Sequence, residues 1–167
     1  MTSADLTYLT IRIATLCYFF AVACYLLHFD RWARVLWTVG CISYLTHVGC
    51  AFDGFYNWSH QVAYAETARQ TAERFGVAAG SGIYWNYLFT AVWVTDAVWW
   101  WRGLAAYRSR SVLVQRATAA FMAFMFFNGV VVFPTGNIRY WGAVGTIVLL
   151  MIGRCANSAS PKRSLLC

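Results

Sequence analysis

The chain has 167 residues, of which 60% are hydrophobic and only 11% charged. Soluble domains run at about 45–50% apolar and about 25% charged, so this composition excludes an ordinary water-soluble core and points to lipid as the surrounding solvent. The formal net charge of +7 would suit nucleic acid only if the basic residues formed a stripe. Most of them flank apolar runs instead, as topology signals do, and nucleic acid is not expected as a partner.

A helix rises about 1.5 Å per residue, so about 20 apolar residues cross a bilayer. The first such run covers residues 6–29. With Asp5 where a signal peptide would carry basic residues, and a run too long for its hydrophobic region, this segment is expected to stay in the membrane. Residues 32–56 form the second expected span. In the connection that follows, residues 59–75 are rich in Ala, Glu, Gln and Arg. Ser59 is placed to cap their start and Gly76 to close their end, while Glu66, Arg69 and Glu73 have the spacing for pairing along one helix. An amphipathic helix on the outer face is expected.

The third span, residues 83–101, ends in three tryptophans followed by Arg102, an interfacial anchor. In the fourth, residues 117–133, Ala119 and Ala123 lie four apart, flanked by Ala117 and Ala120. Small residues at this spacing favour close helix approach, within the bundle or to another subunit. The fifth span, residues 138–153, is short, and the tail 154–167 is expected to be disordered. The fold class is therefore an all-α polytopic membrane bundle, residues 1–153 forming a single unit of five spans plus one outer helix.

With the N-terminus outside, the cytoplasmic side would hold Arg31, Arg34, Arg102, Arg108, Arg110, Arg116, Arg154, Lys162 and Arg163, nine of the 13 basic residues. That orientation, N-terminus out and C-terminus cytoplasmic, follows from the positive-inside rule; in a bacterium the location would be the inner membrane. Cys17, Cys24, Cys41 and Cys50 fall in apolar runs, Cys155 and Cys167 in the tail, and no CxxC pair occurs, so free thiols are expected.

Polar groups at membrane depth are costly and mark candidate sites. At about 100° per residue, Thr46, Cys50, Asp53, Asn57 and, if the helix continues, His60 share one face of the second span, with His47 on its flank. Asn86, Thr90 and Trp93 form a similar arc on the third, and Arg12, Asn128 and Arg139 are expected at the same depth. Together these residues outline a polar cup open to the outside. Asp53 is expected to pair with Arg12 or Arg139, and Asp96, deeper on the third span, with Arg34 or Arg116.

The cup admits several readings. It is a packing seam, or it binds a small molecule, a lipid headgroup or a quinone-like ligand, in a protein acting as a ligand binder or as an accessory subunit of a membrane complex. Membrane lipids, other membrane subunits or a second copy of the chain are the expected partners. A metal site from His47, Cys50, Asp53 and His60, or a haem held by His47 and Met125, is the rival, although the spacing matches no zinc signature and no bis-histidine pair can be drawn. A proton relay or proton-coupled transporter using Asp53 and Asp96 through His47 and Thr90 is a third reading. No nucleophile elbow, phosphate loop or metalloprotease motif is present, so the sequence leans away from an enzyme, and no cofactor is specified.

Overall fold

A computed structural model describes residues 2–134 and 136–159. The described residues form seven α-helices and one π-helical turn, with no sheet among them. Helix α1 spans Ser3–Leu26, α2 Asp30–Gly54, α3 His60–Phe75, α4 Gly82–Trp101, α5 Leu104–Arg108, α6 Val112–Phe127 and α7 Asn137–Ala159. The π turn, Asn128–Val132, continues α6.

Among the described residues, three segments are long and apolar enough to cross a membrane, by length and composition: Ser3–Leu26, Asp30–Gly54 and Val112–Val132. Helix α4 has 20 residues, about 30 Å of rise, but owes much of its apolar character to Trp, Tyr and Phe. Helix α7 has 23 residues and runs past the expected end at residue 153, so 154–159 are helical where a disordered tail was expected. Lys162, Arg163 and Cys167 lie outside the described residues. Among the described cysteines, Cys17, Cys24, Cys41, Cys50 and Cys155 are free thiols.

Local chemistry explains the boundaries. Thr2 and Asp5 make a reciprocal capping box that starts α1. The turn into α2 passes through His28 at φ +63°. Helix α2 stops at Gly54, and Asn57 and Trp58, at φ +47° and +55°, reverse the chain into α3. A bulky Trp in the left-handed region is uncommon, and the turn holds it through the Trp58 N–H donating to the Phe52 carbonyl at 2.9 Å. His60 was expected on the polar face of α2 only if that helix continued; it stops, and His60 opens α3 instead. Ser59 caps α3, and left-handed Gly76 closes it.

The most extensive contact is the antiparallel pair α1 and α2; α7 packs on α1 and the π turn, α2 on α4, and α4 on α6. At the centre sits an aromatic cluster around Trp93, which is fully buried and has its ring centroid 5.3–5.5 Å from those of Trp37, Tyr44, Phe89 and Phe126. Tyr18 stacks on Phe126 with centroids 3.5 Å apart. Gly40 makes room for this: a Cβ there would lie 3.0 Å from the Trp93 ring and 3.1 Å from Cys17 Cβ. The α1–α2 turn, the connection from α4 to α6 and the last turns of α7 share one end of the bundle, hereafter the elbow end; α3 covers the opposite end.

Where α7 crosses the π turn, a Cβ on Gly142 would run into the backbone carbonyl of Val130. Backbone cannot yield as a flexible side chain can, so Gly142→Ala is expected to destabilise the bundle by about 1–3 kcal/mol. At Gly49 a Cβ would meet nothing within 4 Å, so Gly49→Ala is expected to be neutral or to stabilise by up to about 1 kcal/mol. Thermal unfolding of both variants in one detergent checks the contrast.

Candidate functional site

The strongest concentration of buried polar chemistry is at the elbow end. Gly103, at φ +128°, turns the chain out of α4, and Ser111 caps α6 by accepting from the Val114 N–H. Between them α5 folds back over the end of α4. Arg110 thereby reaches Asp96, with Nη1 donating to Oδ1 at 2.5 Å, while the Tyr107 hydroxyl donates to Oδ2 at 2.9 Å. Both charged side chains are almost sealed, at 5% and 4% exposure.

Aromatic rings hold the guanidinium in place. Arg110 lies 3.6 Å above the Tyr107 ring centroid, its Nε donates to the Tyr107 carbonyl at 2.8 Å, and Tyr107 stacks on Trp100 with centroids 4.5 Å apart. Gln115 donates to the Arg108 and Arg110 carbonyls, bracing the elbow from α6. Burial first, and then the adjacent carboxylate, push the Tyr107 phenol well above its ordinary range. The expected partners of Asp96, Arg34 and Arg116, are thus replaced by Arg110 and Tyr107. Arg34 instead stacks over Trp101 at 4.3 Å, and Trp101 Nε1 donates to Thr38.

A second ion pair fastens the elbow to α2: Arg108 Nη2 donates to both Asp30 oxygens, at 2.8 and 2.7 Å. Beside the buried pair, α4 and α6 leave a groove of about 270 Å³ lined by Thr95, Asp96, Trp99, Arg110, Val114 and Thr118, among others. Sequence reading missed this site because its two halves come from opposite sides of a turn. The legible signals were Gly103 after the tryptophan triplet and the tyrosine and arginines before Ser111.

At the α3 end the expected cup residues take separate roles. Asp53 accepts from Ser3 Oγ at 2.6 Å, not from Arg12 or Arg139, both of which are exposed. Thr46 is exposed and donates to its own helix at Ile42, because it lies on the outward side of α2 rather than facing the bundle. His47 turns toward α1, where Nδ1 meets the Thr7 carbonyl at 2.9 Å; a carbonyl only accepts, so Nδ1 carries the proton. Cys50 is half-buried and Asn57 exposed.

His60 Nδ1 lies 2.9 Å from the Tyr87 hydroxyl, an α3–α4 contact. Thr90 donates to the Asn86 carbonyl and lies 3.5 Å from the Tyr44 hydroxyl; the Asn86 side chain is exposed. Trp93 is sealed in the core and its indole N–H has no partner among the described residues. Asn128 donates to the Phe124 carbonyl of its own helix. The proposed metal ligands His47, Cys50, Asp53 and His60 do not converge: among the described residues, no group of three or more His, Cys, Asp or Glu could hold an ion. The end of α2 at Gly54 carries His60 away from the other three.

The Asp96–Arg110 pair makes two tests available. Removing one partner strands the other as a buried charge, so Asp96→Leu or Arg110→Met alone is expected to cost about 3–5 kcal/mol, and the two together less than the sum. Unfolding of the four proteins in one detergent closes the cycle. For Tyr107, the folded pKa lies above the unfolded one, so its contribution is complete below about pH 10 and falls as the pH rises further. Tyr107→Phe should flatten that alkaline loss in a pH series of melting temperatures. Comparison with known proteins returns no matching family model, no matching characterised sequence and no matching solved structure.

Proposed function

We propose that the chain is an integral membrane protein that crosses the bilayer five times, through α1, α2, α4, α6 with its π turn, and α7, and serves as a non-catalytic subunit that assembles with other transmembrane helices through α6. Helix α3 lies on the outer face and the elbow end on the cytoplasmic side. The charge distribution supports this orientation, since Arg31, Arg34, Arg102, Arg108, Arg110, Arg116 and Arg154 belong to the elbow end.

One observation carries the assembly reading. Helix α6 buries Met122 and Phe126 against the bundle and leaves Ala117, Ala119, Ala120 and Ala123 exposed. Met122 and Phe126 serve the internal contact, while the four alanines, where another backbone can come close, are turned outward together with Leu113, Phe124 and Phe127. In a bilayer, where lipid tails are as apolar as leucine, association depends on such close packing. Polar side chains that bridge segments support the same reading: the buried Asp96, the part-buried Asp30 and His47, and the exposed Asp53 are each committed to another segment of the chain.

Cysteines at 119 and 123, in a background with the native cysteines replaced, test the proposal. Oxidation in native membranes should give a discrete higher-mass adduct from both positions and none from a cysteine at 150, an exposed position on α7. Ala123→Leu should weaken the association by about tenfold or more. A chain that stays monomeric at 119 and 123 would contradict it.

A further inference from the structure

The groove between α4 and α6 differs from the rest of the described surface in the state of its threonine hydroxyls. Nine helical threonines, from Thr7 to Thr146, each donate to a carbonyl one turn back, at 2.6–3.0 Å. In the seven that belong to the proposed spans, that local bond satisfies a hydroxyl where no water is available; Thr67 and Thr71 make it on α3. Among the described helical threonines, Thr95 and Thr118 alone make no such bond, and both line this groove. Arg110 lines it too, and Nη2 has no hydrogen-bond partner among the described residues once Nε and Nη1 have bonded Tyr107 and Asp96.

The groove is graded along its length. Trp99 and Arg110 stand near the elbow end, Thr95 and Asp96 come next, and Val92 and Ala91 lie deeper on α4. Arg102 follows Trp99 on the same face of α4, is exposed, and retains helical backbone geometry as the C-cap. Thr95 is six residues short of Trp101, about 9 Å in from the helix end. With a hydrocarbon core of about 30 Å inside a bilayer of about 40–45 Å, the headgroup and ester layer is about 5–8 Å deep on each side, so these hydroxyls stand near its inner boundary.

We propose that this groove is a binding site for one glycerophospholipid. The ester oxygens accept from Thr95, Thr118 and Arg110, the phosphate lies against Arg102, and an acyl chain runs along Val92, Ala91 and Val114. Asp96 does not take part in the contact: it balances Arg110, so the pair beside the esters is neutral and the anionic phosphate is drawn outward to Arg102. The proposal rests on α4 and α6 lying in the membrane, but not on α6 assembling with another subunit.

The test is native mass spectrometry of the full chain, delipidated in mild detergent and then mixed with lipid from phosphatidylglycerol or phosphatidylcholine vesicles. Wild type should retain one phospholipid per chain, the anionic one preferentially. Thr95→Val with Thr118→Val, which keeps the shape of both side chains, should lower retention about tenfold, and Arg102→Gln should remove the preference for the anionic lipid. Unchanged melting temperatures identify folded variants; if the double variant does not fold, the single variants and the exposed Arg102→Gln carry the test. Absence of a one-to-one lipid, equal retention by all variants, or a bound lipophile that is not a phospholipid would overturn the proposal. Resistance to alkaline carbonate extraction, measured alongside, separates the premises: a chain released into the soluble fraction contradicts the membrane reading, whereas a resistant chain that holds no lipid contradicts only the site.

Discussion

A polar side chain buried away from water must find its partner within the protein, and in this chain that constraint ties one helix to the next. Asp96 is the clearest case. It lies within α4, and α4 cannot supply a cation, so the chain bends at Gly103 and returns Arg110 and Tyr107 to it. Around this bond the rest of the elbow falls into place: Tyr107 stacks on Trp100, Gln115 grips the turn from α6, and Arg108 fastens it to Asp30 at the head of α2. Three helices are thereby joined at one end of the bundle.

The middle of the bundle is held differently. Trp93 touches aromatic rings from α2, α4 and α6, and Gly40 lets α2 approach closely enough for that contact. Dispersion over large rings does there what ion pairing does at the elbow. The opposite end depends on single hydrogen bonds, Ser3 to Asp53 and His47 to the Thr7 carbonyl, together with α3 resting on α4 through His60 and Tyr87. The exposed Glu66–Arg69–Glu73 pairs stiffen α3 but bind it to nothing else, and exposed pairs of this kind contribute little to stability.

The helices were largely legible in the sequence because hydropathy and caps are local. Ser59 and Gly76 mark the ends of α3 as expected, and the long apolar runs became α1, α2 and α6. What was not legible depended on a turn or on rotation about a helix axis. His60 would have joined the polar face drawn on α2 only had that helix continued, but α2 stops at Gly54 and the Asn57–Trp58 reversal leads into α3. Thr46, placed on that face, points outward, a choice made by how α1 and α4 flank α2 rather than by period alone. Asp96 was recognised as needing a cation, yet the cation lay 14 residues away across an elbow whose path no periodicity describes. The alanine spacing on α6 was visible, while its exposure became known only once Met122 and Phe126 were seen to take the inner face.

In the proposed topology, α4 and α6 are spans joined by an elbow on the cytoplasmic side, opposite α3. Single cysteines at Gln61 on α3 and Ser109 in the elbow, both exposed, test it most directly when labelled with a membrane-impermeant maleimide in right-side-out and in inverted vesicles. Position 61 is expected to react only in right-side-out vesicles and position 109 only in inverted ones. Labelling of both positions from the same side would contradict it.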